Sequence, residues 1–169
     1  MVYNQIMLKK TITLIFLILC AYVYLSPAGP EDLIKISVII EPGRIKQGNE
    51  GVLKIRIVPK TNIKISSHPK FMIRLYENRN LSFPKLFFTA SELDFKTRQE
   101  KNSTYLELEK DIDIRFKVNP DSLLGRQQIR GEVIFTAVFR DNWSMKTYQR
   151  FQVDFVSQRN RKLRAKKRK

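Results

Sequence analysis

The sequence predicts an all-β protein, and two observations carry that prediction. From Leu33 onward apolar and polar residues alternate with a period of two, and no long segment shows a period of 3.6 residues. Turn signals separate the alternating runs, at Pro42-Gly43, Gly48-Asn49, Asn119-Pro120 and Gly125. About seven to nine short strands over roughly 125 residues are typical of an antiparallel immunoglobulin-like β-sandwich, here preceded by a signal or anchor helix.

The first strands show the alternation most simply. The runs LIKISVIIE, GVLKIRIVP and FMIRLY each place alternate apolar residues on one face. The residues predicted to face inward are Ile34, Ile36, Val38, Ile40, Leu53, Ile55, Ile57, Phe71, Ile73 and Leu75. Lys54 and Arg56 fall on the opposite face, so we expect strands with one buried and one solvated side.

The run TYLELEKDIDIRFKV continues the alternation from Thr104 to Val118. It predicts either a half-buried antiparallel strand pair or one long bent strand. The runs GEVIFTAVF and TYQRFQVDFV complete the set, and RDNWSMK joins them as a hairpin loop. The span from Ser82 to Asp94 shows no firm element, although TASEL is compatible with a short helical turn.

The amino terminus has the three parts of an export signal. Lys9 and Lys10 form a positive region, Thr11 to Leu25 are apolar, and Ser26-Pro27-Ala28 supplies small residues for cleavage after Ala28. We therefore expect an exported protein, in the periplasm, in the cell envelope or secreted. The domains predicted are a signal peptide or anchor (1–28), a sandwich (29–157) and a disordered basic tail (158–169).

Other fates of this segment stay open. The apolar stretch is short for a spanning helix, which needs roughly 20 apolar residues, yet it could remain uncleaved as a thin anchor over residues 11–25. Lipidation of Cys20 fits poorly, because Leu19 stands where a small residue is normally required. A buried cytoplasmic helix is the last alternative.

The charge of the chain is concentrated at its end. The net charge is +16, and the tail RNRKLRAKKRK carries eight of the 32 basic residues. Lys9 and Lys10 account for two more, which leaves 22 basic against 16 acidic residues in 29–158. The tail cations, predicted to contact an anionic surface, are Arg159, Arg161, Lys162, Arg164, Lys166, Lys167, Arg168 and Lys169. Outside a cell, lipid or envelope polymer would supply the anions, and a solvated tail is the alternative.

Trp143 is the second candidate contact residue, for a protein partner. It is the one tryptophan of the chain and falls in the predicted final hairpin loop. Loops at the ends of a sandwich often bind partners, and an exposed tryptophan is a common anchor. A tryptophan folded back over the core is the alternative. Three N-x-S/T sequons, at Asn80, Asn102 and Asn142, matter only in a glycosylating host.

Several chemistries are disfavoured by the residues themselves. A single cysteine permits no internal disulfide and no cysteine-based zinc site. The one histidine, His68, precedes a proline and is interpreted as a loop or strand-edge residue. Asp111 and Asp113 are interpreted as part of a solvated strand face. We find no phosphate-binding glycine loop and no metal-ligand cluster, so we expect no enzyme and no cofactor.

The order of segments resembles a known family. It is similar to the periplasmic amino-terminal domain of thiol:disulfide interchange protein DsbD and the disulfide bond corrector proteins. The stretches that carry the resemblance are ISVIIEPGRIKQGNEGVLKIRIVP, IKISSHPKFMIRLY and IDIRFKVNPDSLLGRQQIRGEVIFTAVFRDNWSMKTYQRFQVDF, within residues 33–157. The resemblance implies an immunoglobulin-like fold. In that family the final hairpin carries a redox cysteine pair, whereas VFRDNWSMKTY has none, so this chain cannot exchange thiols.

Three functional hypotheses follow. The first is an exported, non-catalytic binding or assembly domain whose basic tail engages an anionic surface or an acidic partner. The second is a cysteine-less relative of the interchange domain that docks to a redox partner. The third is a membrane-anchored nucleic-acid-binding protein. Export disfavours the third, and no stretch of the body interleaves aromatic and basic residues as a single-strand platform does. The oligomeric state is left open.

Overall fold

The computed structural model describes residues 33–68, 71–100, 103–108, 110–140 and 143–160. Two β-sheets and a separate β-hairpin account for this part of the chain, which confirms the all-β sandwich. None of these residues belongs to a helix able to cross a membrane. The predicted signal or anchor segment (1–28) and the tail from Arg161 onward lie outside the described residues.

Twelve strands are present in the described ranges, eight of them four residues or longer. In chain order they are β1 (Ile34–Glu41), β2 (Arg44–Lys46), β3 (Glu50–Pro59), β4 (Lys64–Ile65), β5 (Met72–Leu75), β6 (Leu81–Ser82), β7 (Phe87–Thr89), β8 (Lys96–Glu100), β9 (Ser103–Glu107), β10 (Ile112–Val118), β11 (Gly125–Val138) and β12 (Ser144–Gln158). One sheet has the order β1-β3-β10-β6. The other has the order β2-β12-β11-β5-β7, with β4 also paired to β11.

The core lies between the two sheets and is built by the predicted inward-facing residues. Leu53, Ile55 and Ile73 are fully buried. Phenylalanines fill the centre, and the rings of Phe116 and Phe155 meet across the sheets with centroids 5.7 Å apart. Burial of each such side chain is worth roughly 1.5–3 kcal/mol, so this two-sided apolar layer is the main source of stability.

The predicted final hairpin is present and is the longest paired unit, but its loop is shorter than the predicted RDNWSMK, because Ser144, Met145 and Lys146 already pair with β11. Strands β11 and β12 pair antiparallel in an unbroken register, from Gly125 opposite Ser157 to Val138 opposite Ser144. The backbone N–H of Phe139 donates a 2.9 Å hydrogen bond to the carbonyl of Trp143 and closes the connecting loop. This hairpin is the frame on which the six-stranded sheet is assembled.

One expectation needs correction. Residues 104–118 are neither one bent strand nor an antiparallel pair, because β9 pairs with β8 in the separate hairpin while β10 joins β3. The chain changes sheets between Glu107 and Ile112, and a period-two pattern does not reveal which sheet a strand joins. TASEL forms a single turn, with the Leu93 N–H donating to the Thr89 carbonyl at 3.1 Å, in agreement with the short helical turn that the sequence allowed.

Candidate interaction surface

The outer face of the six-stranded sheet carries a row of apolar side chains. The register places Ile134 opposite both Met72 of β5 and Tyr148 of β12. Tyr148 is 48% exposed. Phe87 on β7 is 51% exposed and stands opposite Arg74, in the adjacent row of the same face. Side chains of opposite residues share a face of a sheet. The row therefore forms a continuous, partly solvated apolar strip across β5, β11 and β12.

A charged row lies next to this strip and contains a buried carboxylate. Glu132 stands opposite Arg74 on one side and Arg150 on the other. It is only 4% exposed and forms an ion pair with Arg74. The Tyr76 hydroxyl donates a second hydrogen bond, 2.8 Å long, to Glu132. A buried carboxylate is stable only with such partners, and they fix the position of Arg74 on the surface.

Other cations of this face have no carboxylate partner within the described part of the chain. Arg130, Lys146 and Arg150 are exposed and form no ion pair there. The Arg150 guanidinium lies 5.4 Å from the centre of the Tyr148 ring, in a cation–π arrangement. Near the far end of the hairpin, hydrogen bonds from Arg126 and then Gln128 lower the pKa of Asp154. This surface thus presents positive charge beside aromatic rings.

The outer face of the four-stranded sheet differs from that of the six-stranded sheet, because some cations on it are ion-paired and its long strands carry no outward aromatic residue. Its cations include Lys54, which pairs with Glu41 at 2.6 Å, and Arg56, which donates to both oxygens of Asp111 at 2.6 and 3.1 Å. No aromatic residue faces outward from β1, β3 or β10. Asp111 thus belongs to the solvated, ion-paired strand face that the sequence indicated.

The structure places Trp143 at the hairpin loop, as predicted, with its side chain outside the core. Trp143 is 57% exposed, and its ring stacks on Phe139 with centroids 4.6 Å apart and a 36° tilt. The alternative in which it folds back over the core is therefore not observed. Its role in partner binding stays a prediction.

The basic tail begins at the other end of the longest strand. Strand β12 has fifteen residues, and a rise of about 3.4 Å per residue separates Ser144 from Gln158 by about 48 Å. Arg159 is exposed, and the Asn160 side chain donates a 2.9 Å hydrogen bond to the Gln47 carbonyl. The other seven tail cations, from Arg161 to Lys169, lie outside the described residues. Trp143 and Arg159 therefore belong to opposite ends of the molecule.

His68 lies at the rim of a cavity of about 400 Å³, lined also by Phe71, Phe95 and Leu106. The Ser67 hydroxyl is 2.9 Å from His68 Nδ1 and donates to the Thr104 carbonyl at 2.9 Å. With its proton directed to Thr104, the hydroxyl can only accept from the imidazole, the reverse of base activation. No carboxylate lines this cavity, and no cluster of metal-ligating side chains occurs among the described residues.

Sequence reasoning missed the sheet face because its parts are far apart in the chain. No single stretch shows aromatic and basic residues together, because the face is built by four strands. Its members include Phe87, Arg74, Ile134 and Tyr148. Aromatic and basic side chains from different strands of the body become neighbours in the folded sheet. A glutamate within the apolar run of β11 was the one local signal, since a buried charge needs a partner.

Comparisons with known proteins add solved structures of low similarity. A cohesin module from a Clostridium perfringens family 33 glycoside hydrolase matches with a TM-score of 0.40 and 5% identity, over 76% of this chain and 98% of that one. A conjugative transposon lipoprotein from Bacteroides eggerthii gives 0.32 and 12%, over 71% and 97%. A chain of a type I cohesin–dockerin complex from Clostridium thermocellum gives 0.34 and 18%, over 75% and 99%.

No protein-family model and no curated protein matches the chain. The structural likenesses are too distant to carry an argument about function. They also leave the resemblance to the interchange-protein domain untested.

Proposed function

We propose that the chain is an exported, non-catalytic β-sandwich that mediates binding or assembly at the cell envelope. Its contact surface is the outer face of the six-stranded sheet, and its basic tail engages an anionic surface or an acidic partner. The observation that carries the proposal is the exposed Tyr148 beside Arg150, on a face where Arg130 and Arg150 lack carboxylate partners in the described part of the chain.

The composition of the face supports a binding role. Tyrosine and arginine are enriched in the cores of protein interfaces, and they dominate the residues whose loss weakens binding. The buried Glu132, which also accepts from the Tyr76 hydroxyl, holds Arg74 of this face in place through their ion pair. A group that is already ordered loses less conformational entropy when a partner binds.

The two alternative functions, redox-partner docking and nucleic-acid binding, require different binding properties. Docking to a redox partner would need binding to a thioredoxin-like domain that alkylating reagents leave unaffected. Nucleic-acid binding would need the body to lie inside the cell, and its affinity would fall steeply with salt as counterions are released. A cation-rich face with aromatic rings is compatible with either, so the test must separate them.

The test compares charge reversal on the two outer faces of the full-length protein isolated from its host. One variant combines Arg130→Glu with Arg150→Glu, on the six-stranded sheet. The matched control combines Lys35→Glu with Arg115→Glu, two exposed cations of β1 and β10 with the same change in net charge. A third variant replaces the eight tail cations by glutamine.

The probes are poly-L-glutamate, vesicles with and without phosphatidylglycerol, and single-stranded oligo(dT). We expect the Arg130→Glu and Arg150→Glu variant to bind poly-L-glutamate at least about tenfold more weakly. The affinity of the control should change far less, because only the first variant removes cations beside the apolar strip. Equal losses in both would contradict the proposal, since binding would then follow net charge alone. Oligo(dT) binding stronger than poly-L-glutamate binding would favour the nucleic-acid alternative.

A further inference from the structure

One edge of β12 carries main-chain groups that no described residue pairs with over most of its length. On one side β12 pairs with β11 along its whole length. On the other side its one partner within the described ranges is the three-residue β2, from Val156 to Gln158. From Ser144 to Phe155 that second side has no backbone hydrogen bond to any described residue. Strand β1 of the other sheet approaches β12, yet its own ladder is formed with β3.

The hydrogen-bond pattern identifies which groups point to this edge. The Val156 N–H donates to the Gly43 carbonyl at 3.0 Å, on the β2 side, so even-numbered residues direct their N–H and C=O groups outward. This direction alternates along a strand, as the side chains do. The edge residues are therefore Lys146, Tyr148, Arg150, Gln152 and Asp154. Their span of about 27 Å matches an extended segment of nine residues.

The side chains beside this edge favour some occupants over others. Lys146 and Arg150 stand along it, and neither forms an ion pair among the described residues. Lysines and arginines on an edge strand oppose pairing with a second copy, because like charges would meet. The same cations attract a strand that carries carboxylates. Asp154, the one acidic group of the edge, is already paired with Arg126.

We infer that the edge of β12 between Lys146 and Asp154 binds an extended acidic segment of another protein as an additional β-strand. The inference deepens the proposed function and rests on it. Main-chain bonds supply affinity in this mode, and alternate side chains supply specificity. Outward-facing carboxylates of the segment would meet Lys146 and Arg150 beside the Tyr148 ring. Its inward-facing residues would be apolar, next to the half-buried Val153.

The probe is a fluorescein-labelled peptide of nine residues that alternates glutamate and valine. Two further peptides carry N-methyl groups, one on every glutamate amide and the other on every valine amide. N-methylation removes hydrogen-bond donors and leaves all charges in place. The main-chain groups of an added strand alternate in direction, so either the glutamate amides or the valine amides face β12, and the other set points away. We therefore expect one methylated peptide to bind at least about tenfold more weakly and the other to bind like the parent. Binding is measured by fluorescence anisotropy with the full-length variant whose tail cations are glutamine.

Substitutions in β12 of the protein test the same edge. Gln152→Pro removes an N–H that points away from β11, and proline is tolerated at such edge positions. We expect Gln152→Pro to weaken the parent peptide about tenfold and Gln152→Ala to have little effect. Thermal melting of both variants shows whether the fold is retained. A second proline variant, Arg150→Pro, provides an independent position if the first does not fold.

Three results would overturn the inference. The first is equal binding of the parent and both methylated peptides, which would mean that charge alone attracts the segment. The second is absence of parent-peptide binding while poly-L-glutamate still binds in a face-dependent way, which would leave the proposed function intact. The third is a dimer in sedimentation velocity that Gln152→Pro dissociates, because the edge would then be occupied by a second copy.

Discussion

The Tyr76 hydroxyl donates a 2.8 Å hydrogen bond to the carboxylate of Glu132, fifty-six residues away in the chain. Glu132 lies in the centre of the outer face of the six-stranded sheet and is almost completely buried, with Arg74 as its ion-pair partner. Water has little access to this carboxylate, so the protein must replace its hydration. The cluster thus couples the stability of the sheet to the geometry of the proposed contact surface.

Tyr76→Phe removes one of the two partners of Glu132 and leaves the ring in place. We expect a loss of about 1.5–3 kcal/mol in the free energy of unfolding, since the acceptor is charged and buried. Tyr105→Phe is the matched control, because the described contacts of Tyr105 involve its ring, over which Lys64 lies, and not its hydroxyl. Chemical denaturation measures both. Equal stability of the two variants would show that the Tyr76 hydrogen bond is weak.

Gly131 marks a place where β11 has no room for a side chain. A Cβ added there would lie 2.6 Å from the Arg74 carbonyl oxygen and 2.7 Å from the Phe151 ring. Because a backbone atom cannot move aside alone, we expect Gly131→Ala to cost about 1–3 kcal/mol in unfolding free energy. Gly43→Ala, with nothing within 4 Å, should change stability by no more than about 0.5 kcal/mol. A tolerated Gly131→Ala in denaturant melts would contradict the close approach of β5 to β11.

Local sequence patterns predicted the parts of the fold that depend on one strand at a time. The alternation in β1, β3 and β10 gave the correct inward residues, and Trp143 lies in the loop of the final hairpin as predicted. Strand pairing was harder, because β9 and β10 share one pattern yet join different sheets. A period-two pattern indicates that one face of a strand is buried. It does not indicate which other strand forms hydrogen bonds with it.

The candidate surface could not be predicted for the same reason. Its residues become neighbours only through the registers of β5, β7, β11 and β12, which no local pattern encodes. Trp143 and the basic tail were predicted as contact sites because each is evident within a single stretch of the sequence. In the structure Trp143 and Arg159, the first of the tail cations, stand at opposite ends of β12, about 48 Å apart.

The exposure of Trp143 is directly measurable because the chain has no other tryptophan. We expect an emission maximum typical of a solvated indole and strong quenching by acrylamide. Trp143→Ala loses the stack on Phe139 and should cost only about 0.5–1.5 kcal/mol in unfolding free energy. Phe135→Ala, at a residue 1% exposed, should cost about 3–5 kcal/mol. A blue-shifted, poorly quenched emission would show that Trp143 is covered by the protein.

Glu92 closes the turn that follows β7. Its carboxylate accepts from Lys85 at 2.5 Å and from the Thr89 backbone N–H and hydroxyl at 2.8 and 2.9 Å. The Lys85 hydrogen bond, and then those from Thr89, lower the pKa of Glu92 from 4.5 to about 2. The folded protein therefore binds this proton more weakly than the unfolded chain does. The stabilisation from Glu92 is complete above pH 4.5 and disappears as the pH falls through about 2.

Carbon-detected NMR of the Glu92 carboxyl group should give a titration midpoint of about 2. Lys85→Met removes the largest cause of the shift, so the midpoint should move upward towards the ordinary glutamate value. The stability difference between the natural protein and Glu92→Gln should shrink between pH 4.5 and 2, because protonation abolishes the same acceptor that the substitution removes. A midpoint near 4.5 that Lys85→Met leaves unchanged would mean that the turn is open in solution.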